Sequence, residues 1–189
     1  MNETIRTIMG RRSIRSYKPD QISEQDLNLI IQAGLHAPSA RNRQPWHVCV
    51  LQGHEKIAKL AAELKAAVAR MPDNPYATMV GAESYTMSFL APVFIIVSAD
   101  PEVSPLALAD CALVLGNMFL AAHSLGIASC WVNQLGSACA EPGFRATLTK
   151  LGIPHKNEIY GCSSFGYPLS TPREAPKRRE GTVNFVADF

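Results

Sequence analysis

The stretch PVFIIVSA at residues 92–99 carries no charge and is rich in β-branched side chains. This pattern predicts a fully buried β-strand. The next long stretch, SPLALADCALVLGNMFLAAHSLG at residues 104–126, predicts a helix of about six turns that is apolar on nearly every side. Such a helix has to be covered all round, either by its own domain or by a partner subunit. Its length is close to that of a membrane span, but Asp110, Asn117 and His123 inside it favour a buried helix.

The other periodic stretches alternate between helices and strands. In SEQDLNLIIQAGLHAP, residues 23–38, Ser23 has the character of an N-cap with Asp26 behind it, which predicts a helix that stops at Pro38. Further helices are predicted at residues 54–71 and 141–152, and strands at residues 46–51, 127–132 and 158–166. This mixed order indicates a layered domain of the α/β or α+β class. A chain of 189 residues is expected to form a single domain over residues 1–189.

The composition excludes several broad classes of protein. With 47% hydrophobic and 18% charged residues, the chain is not generally disordered. The N-terminus MNETIRTIMGRRSIR lacks the apolar segment of a secretory signal, and the five cysteines include no Cys-x-x-Cys pair. Reduced thiols in a cytoplasmic protein are therefore expected. The five histidines have no zinc-type spacing, so no metal site is expected.

The segment RRSIRSY at residues 11–17 is the first candidate for binding chemistry. Arg11, Ser13 and Arg15 alternate, so in an extended segment they share one face and Ile14 takes the other. Two guanidinium groups and a hydroxyl suit a phosphate or another anionic group. Taken alone, the segment is at least as consistent with a solvated basic edge strand.

The tail PKRRE at residues 176–180 is the second candidate. Lys177 and Arg179 share a face if the chain is extended, and they again match an anion. This signal is weak by itself, because basic tails commonly stay solvated.

The third candidate is HAPSARNRQPW at residues 36–46, which lies between a predicted helix and a predicted strand. A connection of this kind usually needs only about two to six residues. This one carries several different hydrogen-bonding side chains, at Ser39, Arg41, Asn42 and Gln44. The alternative is a capped loop that uses Asn42 for a left-handed turn and Trp46 for packing.

Taken in order, these pieces resemble the nitroreductase family of oxidoreductases that depend on flavin mononucleotide (FMN). The resemblance rests on Arg-x-Ser-x-Arg at residues 11–15, PSARNRQPW at 38–46, SLGIASCWVNQLG at 124–136, GYP at 166–168 and PKRR at 176–179, and covers essentially the whole chain. It implies an α+β fold: a three-layer α-β-α sandwich with a central, mainly antiparallel sheet. It also implies an intertwined homodimer with FMN at the subunit interface.

The resemblance also implies roles for residues at both ends of the chain. Arg11, Ser13 and Arg15, with Arg12 beside them, match positions that hold the phosphate, the ribityl chain and the pyrimidine edge of FMN. Lys177 and Arg179 match a basic tail that closes over the phosphate. Residues 166–189 are thus expected to form a C-terminal extension that contributes to the cofactor site.

Two internal segments complete the implied site. One is a loop that reaches the flavin of the other subunit, and it comprises Pro38, Ser39, Ala40, Asn42 and Gln44. The family often has a second serine where Ala40 stands, so one contact is in doubt. The other segment passes the flavin ring and donates a backbone hydrogen bond to flavin N5, and it comprises Trp131, Val132, Asn133 and Gln134.

The implied reaction is hydride transfer from NADH or NADPH to FMN and then to nitroaromatics, quinones or related conjugated acceptors. The sequence has no dinucleotide fingerprint and no phosphate-binding P-loop, so the nicotinamide is expected to use the flavin face directly and to leave before the acceptor binds, in a ping-pong mechanism. No side chain is expected to be catalytic, because the flavin carries the chemistry. Residues 71–88 could form a substrate lid.

Other interpretations stay open at this point. The same fold could carry out ene reduction, reductive dehalogenation or flavin breakdown, or bind flavin without turnover. A basic nucleic-acid-binding domain is disfavoured, because only 7% of the residues are aromatic and only Tyr17 lies among the arginines. We therefore expect a small-molecule acceptor as the partner, and neither a nucleic acid nor a membrane.

Overall fold

A computed structural model describes residues 1–170 and 174–187 of the chain. Its helices are α1 (Glu3–Gly10), α2 (Glu24–Leu35), α3 (His54–Ala69), α4 (Ala77–Gly81), α5 (Ala107–Ser124), α6 (Gln134–Ala138) and α7 (Pro142–Lys150). Its strands are β1 (Trp46–Gln52), β2 (Val93–Ala99), β3 (Ala128–Val132) and β4 (Glu158–Gly166). A short 3-10 turn covers Ala40–Asn42.

The strands of the described residues form one sheet in the order β1-β2-β4-β3, and every neighbouring pair is antiparallel. This arrangement decides between the two classes that the alternation of elements left open, in favour of α+β. The register shifts once, between Val97 and Ser98 of β2, where β4 carries an extra residue. Such a bulge locally bends and twists the strand.

The sheet lies between two helical layers, because the side chains of β2 alternate between its faces. Phe94 and Ile96 belong to a core cluster with α3 and α7, whereas Ile95 and Val97 belong to a cluster with α2 and α5. All of β2 is buried, which confirms the prediction for residues 92–99. The predicted three-layer sandwich is also confirmed.

Helix α5 packs closely on α2 but is not covered all round. A Cβ at Gly34 of α2 would lie 2.5 Å from the Met118 side chain, so a larger residue there would force Met118 to move. The outer face of α5 is bare, and Leu108 there is 60% exposed. The helix is apolar and long enough to cross a membrane, yet its inner face packs on the sheet. Its own domain therefore covers the inner face of this helix and leaves part of the outer face exposed.

The structure contains short elements that the sequence did not predict: α1, α4 and α6. Isolated helices of this length are marginal, and contacts elsewhere in the fold hold them in place. Helix α1 is capped by Asn2, whose side chain accepts a hydrogen bond from the Ile5 backbone N–H at 3.0 Å. Helix α6 begins immediately after β3, so Gln134 is helical and does not continue the strand. The other predicted elements occur within a few residues of their expected bounds.

Candidate functional site

The N-terminal segment runs alongside β3, on the edge that no other strand covers. Ser13 forms a parallel bridge with Ser129, and the Ile14 N–H donates to the Ser129 carbonyl at 3.1 Å. Ile14 packs beside Tyr17 and Ala91, whereas Ser13 and Arg15 are exposed. The predicted alternation is therefore present at residues 13–15, whereas Arg11 is half-buried.

The arginines of this segment are held by rings and carbonyl groups rather than by carboxylates. The Arg11 guanidinium lies 5.8 Å from the centre of the Phe119 ring, and that of Arg15 lies 5.9 Å from the Phe89 ring. Arg12 Nη1 donates to the Met9 and Arg11 carbonyls, at 2.7 Å each, while its buried Nε has no partner within the described residues. Within residues 1–170 and 174–187, none of these arginines forms a salt bridge.

A cavity of about 700 Å³ opens beside these arginines, and residues from both ends of the chain form its wall. This volume lies within the range of small-molecule sites, which is roughly 300–1,000 Å³. The wall carries four arginines and one glutamate. It comprises Arg11, Arg12, Ser13, Ile14, Arg15, Ser16, Ser170, Glu174, Pro176 and Arg178. The excess of positive charge suits an anionic ligand.

The tail contributes a different residue from those that the sequence indicated. Arg178 forms part of the cavity wall, whereas Lys177 and Arg179 do not. The Lys177 ammonium instead pairs with the Glu180 carboxylate at 2.6 Å. Alternation of side chains along an extended tail explains why Arg178 points away from its two neighbours. The sequence missed Arg178 because nothing local shows which face of a tail meets the body of the protein.

His123 is a further residue of this region that the sequence did not single out. Its Nε2 atom lies 2.9 Å from where a Cβ at Gly10 would be. Burial lowers the pKa of His123, and the positive charges of Arg11 and Arg12 lower it further. The positive charge of the N-terminal arginines therefore reaches the C-terminal end of α5, where His123 lies.

The end of β3 lies at the same edge as the arginine segment. Trp131 Nε1 donates to Asn133 Oδ1 at 3.3 Å, and Asn133 Nδ2 donates to the Tyr76 hydroxyl at 2.9 Å. Val132 is buried, and Gln134 begins α6 with its Nε2 3.9 Å from Met79 Sδ. Burial raises the pKa of the Cys130 thiol, and the nearby Arg15 and Arg11 guanidiniums partly offset this effect. The structure therefore brings together two of the predicted site segments, residues 11–15 and 131–134.

The loop at residues 38–44 lies elsewhere, at the N-terminal end of α5. The Ala40 N–H donates to Asp110 Oδ1 at 3.0 Å, and the Ser104 hydroxyl donates to Asp110 Oδ2 at 3.0 Å. Phe119, whose ring contacts the Arg11 guanidinium, is about 14 Å from Asp110 along the helix axis. No residue of the loop lines the arginine cavity.

The loop has a tightly specified backbone. Arg41, Asn42 and Gln44 have positive φ angles of 54°, 53° and 48°. The Ser39 hydroxyl accepts from the Gln44 N–H at 2.9 Å, and the Asn42 side chain accepts from Gln44 Nε2 at 2.9 Å. The left-handed turn that Asn42 suggested is therefore present. Pro38, Asn42 and Gln44 remain exposed.

The chemistry of the other titratable groups is limited. All five cysteines are free, and Cys111, Cys130 and Cys162 are buried. Across the described residues, no group of three or more His, Cys, Asp or Glu side chains could hold a metal ion. Among the described residues, the arginine cavity is therefore the candidate site with the clearest concentration of charge.

Comparison with known proteins identifies the family of this chain. The model of the Nitroreductase family matches residues 8–167. The chain belongs to the nitroreductase family. A crystal structure of a nitroreductase with bound FMN from Bacteroides fragilis is 40% identical, with a TM-score of 0.92 over 98% of this chain and 100% of that chain. Another with bound FMN, from Desulfitobacterium hafniense, is 31% identical, with a TM-score of 0.84 over 98% and 99%.

A curated relative in an archaeon is similar over most of its length. It is a protein of Archaeoglobus fulgidus, provisionally named NADH dehydrogenase/NAD(P)H nitroreductase. It is 34% identical over 175 residues, which cover 89% of this chain and 87% of that protein. This member of the nitroreductase family therefore shares both sequence and fold with relatives along nearly its entire chain.

Proposed function

We propose that this nitroreductase is an FMN-dependent enzyme that takes hydride from NADH or NADPH and reduces conjugated acceptors such as nitroaromatics and quinones. The observation that carries the proposal is the arginine cavity, which is built from both ends of the chain and whose N-terminal segment pairs with β3. The FMN bound in the Bacteroides fragilis and Desulfitobacterium hafniense structures supports it. The naming of the Archaeoglobus fulgidus relative supports NADH or NADPH as the hydride donor.

The residues of the cavity fit FMN. Arg11, Arg12 and Arg178 would hold the phosphate dianion, and Arg12 has one donor, Nε, without a hydrogen-bond partner among the described residues. Each charge-assisted hydrogen bond contributes about 1.5–3 kcal/mol. Ser13 would contact the ribityl chain, and Arg15 the pyrimidine edge, where its positive charge stabilises negative charge on the reduced ring. Bound FMN would supply the hydride chemistry, and the protein would supply orientation and electrostatics.

The segment after β3 would face the flavin ring. The backbone of Val132, Asn133 and Gln134 would donate the hydrogen bond to flavin N5, since these residues follow Cys130, which lies near the Arg15 guanidinium. The Trp131 ring packs against Phe119 and Gly161. We therefore assign Trp131 a packing role beneath the segment that would face the flavin. Orientation by fixed backbone groups needs no catalytic side chain in this region.

We further propose that the functional unit is a homodimer with composite sites. Pro38, Ser39, Ala40, Asn42 and Gln44 are absent from the cavity of their own chain, so they would complete the cavity of a second copy. The bare outer face of α5 provides an apolar surface for that copy to cover. The tail adds another such surface, because Phe185 is 91% exposed in the single chain.

The same proposal treats residues 1–189 as one domain in which residues 166–189 are the extension that helps to close the cofactor site. Residues 171–173 and 188–189 of that extension lie outside the described residues. Of the tail cations, Arg178 has more support than Lys177 or Arg179, since it lines the cavity. The free cysteines suit a reducing compartment, and we propose a cytoplasmic location.

The test is to purify the protein and titrate it with FMN, with flavin fluorescence and visible absorbance as readouts. NADH and NADPH oxidation are then followed anaerobically with a nitroaromatic and a quinone. We expect saturable FMN binding and turnover with both acceptors. Absence of FMN binding would overturn the proposal, whereas binding without turnover would indicate a flavin-binding protein. Turnover with neither acceptor but with an activated alkene or an aryl halide would indicate ene reduction or dehalogenation.

A further inference from the structure

The connection between α3 and β2 is fastened to α6 by hydrogen bonds. Asn74, which is 7% exposed, donates through Nδ2 to the Ser137 hydroxyl at 3.1 Å and to the Ser137 carbonyl at 3.3 Å. Its Oδ1 accepts from the Tyr76 N–H at 2.9 Å. Further along, Met79 contacts Gln134. These contacts anchor the first half of the segment that the sequence suggested as a lid.

A further contact of this connection, between Tyr76 and Asn133, reaches the segment that we propose to face the flavin ring. Asn133 sits at the junction of β3 and α6, with φ −115° and ψ −9°, and its side chain does not cap α6. Asparagine at such a position commonly caps the helix. Here the Asn133 amide forms other hydrogen bonds: its Oδ1 accepts from Trp131 Nε1 and its Nδ2 donates to the Tyr76 hydroxyl. The side chain therefore ties the junction to its neighbours on two sides.

We propose that Tyr76 is a positioning residue, which acts through Asn133 to hold the backbone of residues 132–134 in the orientation that serves flavin N5. This inference rests on the proposed function. A hydrogen bond from a backbone N–H weakens steeply with misalignment, so a junction free to rotate would donate less well. The Tyr76 hydroxyl belongs to a segment that Asn74 anchors independently, which makes it a fixed point for the junction.

The experiment compares Tyr76→Phe with the matched variant Tyr85→Phe. Tyr85 lies in the same segment, and its buried hydroxyl has no hydrogen-bond partner among the described residues. The measured quantity is the ratio of the dissociation constants for oxidised and reduced FMN. Loss of the N5 donor disfavours the oxidised form, so Tyr76→Phe is expected to raise the ratio three- to tenfold. A tenfold change corresponds to an increase of about 30 mV in the midpoint potential of a two-electron couple.

A second pair of variants tests whether Tyr76 acts through Asn133. Asn133→Ala alone is expected to raise the ratio at least as much, and Tyr76→Phe added to it should cause no further change. Thermal melting of each variant checks that it folds. If Tyr76→Phe does not fold, the ratio of dissociation constants measured for Asn133→Ala becomes the test. An unchanged ratio in a folded Tyr76→Phe, an unchanged ratio in Asn133→Ala, an equal change in Tyr85→Phe, or additive changes in the double variant would overturn the inference. A wild-type protein that binds no FMN would instead overturn the proposed function.

Discussion

Arg178 is the tail residue whose side chain the fold turns toward the N-terminal arginines. We predict that Arg178→Ala weakens FMN binding about ten- to a hundredfold, because one charge-assisted contact to the phosphate is lost. Arg15→Ala should weaken binding by a similar factor. Fluorescence titration of FMN into each variant measures the effect.

Lys177→Ala is the matched control, since this neighbouring cation pairs with Glu180 and stays outside the cavity. It should leave the dissociation constant within about twofold, and Arg179→Ala should do the same. If Arg179→Ala or Lys177→Ala weakened binding and Arg178→Ala did not, the tail would present its other face to FMN, as the family resemblance alone indicated.

At the level of elements, Glu141 links the end of α3 to the start of α7. Its carboxylate accepts from Arg70 Nε at 2.9 Å and Nη2 at 2.8 Å, and from the Phe144 N–H at 2.8 Å. The hydrogen bonds from Arg70 and then from the backbone lower the pKa of Glu141 to about 2. A carboxyl with a lowered pKa adds stability above its unfolded pKa of roughly 4.3 and loses it as the pH falls through the folded value.

Glu141→Gln should therefore lower the melting temperature by a constant amount above about pH 5, and the difference should shrink from pH 4 toward pH 2. Thermal melts of both proteins across this range measure it. Glu102→Gln is the control, because Glu102 pairs with Lys156 at 3.0 Å on the open surface and such pairs contribute little. A difference between wild type and Glu141→Gln that does not depend on pH would contradict the assignment.

At the level of the whole molecule, mixing two defective chains tests the composite site. Arg15→Ala damages the cavity of its own chain, whereas Asn42→Ala damages the loop that we assign to the other copy. In a heterodimer of the two, one site carries both defects and the other carries neither. One of the two sites in each heterodimer should therefore regain wild-type FMN affinity. The measurement is an FMN titration of the two variants after they are unfolded, mixed and refolded together.

The matched comparison is each variant mixed with itself, which should stay weak at every site. If the loop served its own chain, every site in the mixture would remain defective. Sedimentation of the mixture establishes the dimer independently, and Leu108→Lys should shift it toward monomer by placing a charge on the bare face of α5.

The steady-state kinetics also belong to the whole molecule. The sequence has no separate nucleotide-binding motif, so the nicotinamide and the acceptor are expected to share the flavin face. The spent nicotinamide then has to leave before the acceptor binds, and double-reciprocal plots at several acceptor concentrations should be parallel. Intersecting lines would show that both substrates bind together and would rule out a shared site.

Much of the fold could be predicted from local pattern. The uncharged, β-branched run at 92–99 became the buried strand β2, and the alternation at residues 13–15 left Ser13 and Arg15 exposed beside β3. Asn42 also took the left-handed conformation that its residue type suggested. These features depend on the chemistry of neighbouring residues in the chain, and that chemistry is fully written in the sequence.

Features that depend on distant residues needed the tertiary structure. The bond between Tyr76 and Asn133 joins positions 57 residues apart, and Asp110 holds a loop backbone 70 residues away. Helix α6 is too short to form without its neighbours, so no periodicity marked it. By itself the sequence determined the types of the main elements and which residues could bind an anion. Only the fold decided that Arg178 meets the N-terminal arginines and that the loop at 38–44 lies outside their cavity, because both depend on where the chain returns in space.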